Sequence, residues 1–402
     1  RDTKEFISML SPLIRRNLQL SYGYAACSFL GITTLWVIFL QQRGLSLVAI
    51  GLCESVFHLT SFLSEVPSGV IADRFGYRSV LISSRLMAIG HAIIMLTAHS
   101  LGWFLLAFVL QAWAYNLQSG TLAAAQYDSL VAADATRRYP HVTTVLNTTI
   151  EIADTVGVVL AGWLLGHHLI WTYWIYLVAA LIAVLLTASL KIPAGIAPTE
   201  SRPGLRQITV AAWHVLQTQP RLRALILFDA VFSAVSTTYY YYFQTVMTAR
   251  HFTSPKITTI LVIGLAVNVA AIQLTPWLQA HFAQRRLLIG LCGSLTLTLL
   301  GSFNSAPNWL ISAYLVINGL QALLEPLLSN YYNQLIPNGQ RATLLSVASM
   351  GFSLAMVGSF PGIGWLIQHW GFTLTFGTSG LLILLVGLGW LLNVKLHAVT
   401  ED

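Results

Sequence analysis

Gly69-Val70-Ile71-Ala72-Asp73-Arg74-Phe75-Gly76-Tyr77-Arg78 joins two apolar runs, each long enough to cross a bilayer. Glycines, an acid and a pair of arginines in so short a connection turn one membrane-length helix back into the next. Outward from this stretch the chain repeats the same pattern of apolar run and short polar break. A hydrocarbon core takes about 20 apolar residues per helix. Twelve runs qualify: 18–41, 46–72, 78–98, 102–127, 141–166, 169–190, 222–248, 256–280, 286–304, 308–334, 342–367 and 371–394. The longest break, 191–221, holds Pro193, Pro198, Pro203 and Pro220, and divides the runs six and six. The expected domains are 1–190, a six-helix bundle; 191–221, a cytoplasmic linker; and 222–402, a second six-helix bundle.

Composition agrees with a membrane protein. Of 402 residues 56% are hydrophobic and 9% charged, with mean hydropathy +0.70. Soluble domains average about 25% charged residues. The net charge of +7 does not point to nucleic acid, because the charges gather in alternate loops as membrane orientation requires. Only Arg43, Arg250 and Lys256 stand on one side, and Arg85 lies inside the third run; the other lysines and arginines share the opposite side. Both termini and the linker are therefore expected to be cytoplasmic. Arg1 is expected to follow a removed or trimmed initiator methionine, and no signal-peptide pattern precedes the first run. Cys27, Cys53 and Cys292 all lie in apolar runs and read as small buried hydrophobes.

Within the linker Leu205, Ile208, Ala212 and Leu216 recur at helical spacing beside Trp213, as in an interfacial amphipathic helix. The halves read as repeats. Residues 277–286 align with 69–78, setting Arg286 opposite Arg78 and His281 opposite Asp73; Tyr127-Asp128-Ser129-Leu130 parallels Tyr332-Asn333-Gln334-Leu335; and Ala161-Gly162-Trp163-Leu164 parallels Ile363-Gly364-Trp365-Leu366. Two related bundles around a central cavity are expected.

The spacing G-x-x-x-D-R-x-G-x-R at 69–78 resembles the loop between helices 2 and 3 of the major facilitator superfamily. Ser119-Gly120-Thr121 through Leu130, and Ile336-Pro337-Asn338-Gly339-Gln340-Arg341-Ala342-Thr343, resemble its drug-exporter-like branch, whose members are drug:proton antiporters. The resemblance implies an all-α fold of twelve transmembrane helices in two pseudo-symmetric bundles, working by alternating access. It implies a conformational latch of Gly69, Asp73, Arg74, Gly76, Arg78 and Asp128. In it Asp73 holds the start of the eleventh span near Arg341–Leu345, and Arg74 or Arg78 pairs with Asp128. The chain departs from the family in three places. Tyr77 replaces the arginine usual after the second glycine, Gln111 replaces the fourth-helix arginine of proton-coupled exporters, and the fifth span lacks the antiporters' Gly-Pro pair.

A charge near the bilayer centre costs at least about 2.5 kcal/mol and marks a pathway or a partner. Glu54 and Glu65 in the second run, Glu151 and Asp154 in the fifth, Asp229 in the seventh, Glu325 in the tenth and Arg85 in the third are such charges; His58 and His91 are also deep. Glu54 and His58 stand four apart on one helix face and can pass a proton; an interhelical hydrogen bond is the plainer reading. Glu151 and Asp154 stand three apart, and two carboxylates so close do not both ionise readily, which suits a proton carrier or a cation-attracting site unless Arg85 neutralises one of them. Glu65, just before Pro67, reads as structural or gating. Asp229, Glu325, Arg85, Trp36, Trp113, Tyr115 and one of the tyrosines 239–242, Tyr239 first, are candidates for the substrate cavity; Asp229 and Glu325 read equally well as helix-packing hydrogen bonds, and the aromatic ones suit an interfacial belt or packing as well.

No phosphate-binding loop, zinc-ligand spacing or nucleophile elbow occurs. The expectation is therefore not an enzyme but a secondary transporter without cofactor or metal, driven by the proton gradient. It would export small amphipathic or lipophilic compounds. The alternatives are an importer or uniporter of a polar nutrient, served by Gln111, Asn116, Gln118, Asn147, Asn268, Gln273, Asn318 and Gln321, a lipid translocator, or a membrane receptor. Its partners would be a small-molecule substrate, protons and the bilayer, with no nucleic acid. It is expected to be a monomer in the cell membrane, a bacterial inner membrane.

Overall fold

The computed structural model describes residues 11–191, 210, 217–335 and 341–399, with the side chains of 66, 73, 333–335, 341–346 and 386–399 excepted. Among the described residues the chain is helical, with short 3₁₀ turns and no strand. The helices are α1 (Pro12–Ser28), α2 (Trp36–Gln42), α3 (Leu47–Phe75), α4 (Tyr77–Thr97), α5 (Leu101–Gln118), α6 (Thr121–Val131), α7 (Tyr139–Leu165), α8 (Ile170–Ala188), α9 (Pro220–Ala249), α10 (Ser254–His281), α11 (Gln284–Gly301), α12 (Pro307–Leu335), α13 (Arg341–Trp370) and α14 (Phe372–Val399). Each apolar run is met by one helix or by a helix broken in two. Among the described residues eight helices are long and apolar enough to cross a membrane unaided. The stripe residues Leu205, Ile208, Ala212 and Leu216, with Trp213, and Ile336–Gln340 lie outside the described residues.

Two runs that read as continuous are broken. The run 18–41 becomes α1, a 3₁₀ turn at Gly31–Thr33, and α2, with a bend of 50°. A seven-residue helix does not hold alone; α2 is kept by burial of Val37, Ile38, Phe39 and Leu40. The run 102–127 breaks at Ser119-Gly120, where Gly120 takes φ +73°. The turn between α3 and α4 likewise rests on Gly76 at φ +74°, in an extended positive-φ backbone that essentially only glycine adopts and that costs other residues about 1–3 kcal/mol.

The chain divides into two compact units. The first comprises Arg1–Leu45, Leu52–Ala211 and Thr253–Thr258; the second comprises Ser46–Gly51, Ala212–Phe252 and Thr259–Asp402. In the first, α4 lies against α5 and α8, and Tyr24, Ala25, Leu81, Leu122, Leu146 and Ala183 form a core cluster. In the second, Tyr239, Phe243, Phe372 and Phe376 make an aromatic core. Large apolar side chains such as Leu185 and Leu297 stay exposed on the helices, as surfaces that meet lipid do.

Candidate functional site

In the second unit, α9, α12 and α13 line an open cavity of about 290 Å³ bordered by Asp229, Ser233, Gln321, Glu325, Ser329 and Tyr332, with Leu324, Leu328 and Ala348 between them. Gln321, Glu325, Leu328 and Tyr332 follow at steps of three and four, so one face of α12 forms a wall. A relay of hydrogen bonds crosses it. Gln321 Nε2 donates to Ser233 Oγ at 3.3 Å, Ser233 Oγ donates to Asp229 Oδ1 at 3.0 Å, and Tyr332 Oη donates to Asp229 Oδ2 at 3.0 Å. Gln321 Oε1 is buried without a partner among the described residues. Glu325 is exposed and, like Asp229, has no cationic partner among the described residues. This wall can hold a positively charged group by two carboxylates, one of them oriented by neutral donors.

Tyr239 does not reach that wall. It is fully buried, 3.4 Å from Ser302 Oγ and ringed by Phe243, Phe372 and Phe376. Consecutive tyrosines point all round a helix, and here Tyr239 and Tyr242 both turn into the protein.

In the first unit the structure brings Glu54 and His58 together. His58 Nε2 lies 3.4 Å from Glu54 Oε1 on α3, and the imidazole stands edge-on to Phe57. On α7, Glu151 is exposed and Asp154 half-buried. The Asp154 carboxylate lies over Gly31, at the break in the first span, so closely that a Cβ on Gly31 would overlap it. Gly157, one turn on, leaves the same room for the backbone of Gly31 and Ile32. Neither acid has an ion pair among the described residues.

Arg85 therefore does not neutralise Glu151 or Asp154. It is 2% exposed on α4, donates through Nη2 to Gln118 Oε1 at 2.6 Å and Ser84 Oγ at 2.9 Å, and lies 5.4 Å above the Tyr24 ring. Tyr24 Oη also donates to Gln118 Oε1, and Arg85 Nε has no partner among the described residues. Trp36 is edge-on to Phe108, Trp113 packs on Ala72, Val80 and Leu117, and Tyr115 is exposed near Phe57. His91 is a packing residue, its Nδ1 2.9 Å from the Ala107 carbonyl.

The loop 69–78 differs from the implied latch in its anchor. Tyr77 Oη donates to Asp128 Oδ2 at 2.6 Å. Arg74 and Arg78 are exposed, and among the described residues neither pairs with Asp128. Tyrosine thus stands where the family's arginine would, and supplies a hydrogen bond in place of an ion pair. Gly69 is buried in α3. The side chain of Asp73 and those of Arg341–Leu345, at the helix start it would hold, lie outside the described residues.

Sequence reading found the acids of the cavity but not Ser233 or Tyr332, and it gave Gln321 only to the polar-nutrient alternative. Neutral polar residues are common in apolar runs and carry no charge signal. The one hint was the parallel between Tyr332 and Tyr127 in the repeat.

A profile described as Major Facilitator Superfamily matches residues 21–357. No curated protein is matched by the sequence. Solved structures of similar fold include the nucleoside transporter NupG, at 13% identity and TM-score 0.75, covering 94% of this chain and 98% of that one. A POT family transporter in complex with 5-aminolevulinic acid aligns at 12% identity and TM-score 0.67, covering 94% and 95%. A peptide transporter POT aligns at 14% identity and TM-score 0.70, covering 92% of each chain.

Proposed function

The chain belongs to the major facilitator superfamily, a multi-pass membrane transporter and not an enzyme, and from that premise we propose that it couples proton entry to the export of small amphipathic compounds, preferably cationic ones. The observation that carries the reading is the cavity of α9, α12 and α13, where Asp229 and Glu325 face open space with no cation to balance them among the described residues. An ionisable residue within a membrane span faces a pathway or a partner. Asp229 and Glu325 take the substrate's positive end; Glu54, His58, Glu151 and Asp154 exchange protons. Substrate release and protonation exclude each other as access alternates. Asp73, Arg74, Arg78 and Asp128 belong to the latch, with Tyr77 as the anchor of Asp128. The proton gradient is the energy source, no cofactor is needed, and the working unit is a monomer in the plasma membrane of a bacterium.

Import of a polar solute is the second reading, since structures of similar fold are described as nucleoside and peptide transporters. Several side chains it needs are engaged elsewhere. Gln111 accepts from Tyr176, Asn116 bonds to Ser61 and Ser64, and Gln118 accepts from Arg85 and Tyr24. These bonds join helices within the first unit and leave less polar surface for a sugar or nucleoside.

The deciding experiment is proton movement in inverted vesicles. A pH-sensitive dye reports collapse of an imposed gradient on addition of tetraphenylphosphonium, then a neutral drug, then a sugar. Collapse with the cation, lost in Asp229→Asn and Glu325→Gln, is the expected result. Collapse with the sugar alone would replace export of amphiphiles by polar-solute transport. No response to any of the three, from folded protein, would favour a uniporter or a lipid translocator.

A further inference from the structure

The connection between α10 and α11 is the second copy of the loop at 69–78, and it has kept an arginine while losing the glycines and the acid. A different surface stands there. Trp277, 52% exposed, lies with its ring 4.6 Å from that of His281 at 28°. His281 Nδ1 is 2.8 Å from the Trp277 carbonyl; a carbonyl only accepts, so Nδ1 carries the proton and Nε2 is the nitrogen left for another partner. Arg285 and Arg286 follow, both exposed, and neither has a hydrogen bond or ion pair among the described residues. On the face of α10 that carries Trp277, Ile263 and Leu274 are exposed, and Ile289 lies exposed one turn beyond Arg285 on α11.

The order along this strip is apolar, aromatic, cationic. Hydrocarbon, interface and phosphate follow one another in the same order in a phospholipid leaflet. Indole rings settle at the interface, and clustered basic residues just beyond it attract anionic headgroups. The ring pair alone is not the distinguishing feature. Trp163 and His167 make it at 4.6 Å, and Trp365 and His369 at 4.2 Å, each with Nδ1 against the carbonyl four residues back. Neither of those pairs is followed by a nearby arginine or lysine. They are built-in controls for the contribution of the two guanidinium groups.

We propose that the edge formed by Trp277, His281, Arg285 and Arg286 binds the phosphate of an anionic phospholipid whose chains lie along Ile263 and Leu274. This holds whatever solute the protein carries.

Native mass spectrometry and thermal unfolding of the full chain in uncharged detergent test it, with phosphatidylglycerol and phosphatidylcholine as probes. Phosphatidylglycerol is expected to bind more tightly and to raise the unfolding temperature more. A basic group beside an anionic surface contributes about fivefold in binding, so Arg285→Gln with Arg286→Gln should lose that advantage by about that factor per residue. Binding of phosphatidylcholine should be unchanged. His167→Gln and His369→Gln should leave the preference intact. If the double variant does not fold, Arg285→Lys with Arg286→Lys should retain the preference and His281→Gln should reduce it. The proposal is overturned if neutralising both arginines leaves phosphatidylglycerol bound as before. It is equally overturned if neutralising Arg15 and Arg16 has the same effect, or if inorganic phosphate competes as well as the lipid.

Discussion

Tyr77 and Asp128 are joined by a 2.6 Å hydrogen bond from the phenol to the carboxylate, tying the start of α4 to α6 at the point where related transporters use an arginine. Tyr77→Phe removes the donor and leaves a half-buried carboxylate short of a partner. Hydrogen bonds to charged groups contribute about 1.5–3 kcal/mol, so the variant should unfold at a lower temperature and cycle more slowly. Tyr77→Arg should restore both, measured by thermal unfolding and vesicle transport. Unchanged stability in Tyr77→Phe would mean that Asp128 is held by something else.

Gly157 and Gly362 are both helical glycines and make opposite forecasts. A Cβ on Gly157 would run into the backbone of Gly31 and Ile32, whereas one on Gly362 meets nothing within 4 Å. Overpacking of this kind costs about 1–3 kcal/mol. Gly157→Ala should therefore destabilise, while Gly362→Ala is neutral or slightly stabilising in the same melting assay.

Arg85 separates a structural role from a functional one. A guanidinium that is 2% exposed and has no carboxylate among the described residues is a net burden on the fold, of at least about 2.5 kcal/mol by insertion scales. Arg85→Gln keeps a donor for Gln118 and sheds the charge. It should fold at least as well as the parent and lose most of its transport. A variant that transports normally would make Arg85 a packing residue.

Tyr332 and Tyr239 sit on different sides of the same question. Tyr332→Phe strips a donor from Asp229 on the cavity wall and should weaken substrate binding by about tenfold or more, as expected for a hydrogen bond to a charged group of about 1.5–3 kcal/mol. Tyr239→Phe loses only a 3.4 Å contact to Ser302 and should leave binding unchanged. Equilibrium binding of the cation that collapses the gradient reads both.

The twelve runs were legible because burial in hydrocarbon leaves a signal of amplitude and length that neighbouring helices do not alter. The breaks at Gly31–Thr33 and Ser119-Gly120 were not. Glycine and serine barely change hydropathy, and the bend comes from tertiary fit, such as Gly31 under Asp154. The same division holds at the site. Asp229 and Glu325 stand out because acids are rare in apolar runs. Ser233 and Tyr332 do not, because only the fold brings α9 and α12 face to face. The anchor of Asp128 was half visible. Tyr77 was a recognised departure, but that a phenol could take over the arginine's place depended on how α4 and α6 meet.

The break in the first span also bears on how the chain enters a membrane. Residues 18–41 form one apolar stretch in sequence but two helices in the finished fold, and the shorter, α2, is held by the burial of four consecutive side chains. Insertion selects on summed hydrophobicity over a window about as long as the bilayer is thick, so it acts on the stretch before any kink exists. The same residues therefore answer to two successive selections, a total during synthesis and a shape once the first unit has assembled. Substitutions between Phe29 and Leu35 that favour one can be rejected by the other.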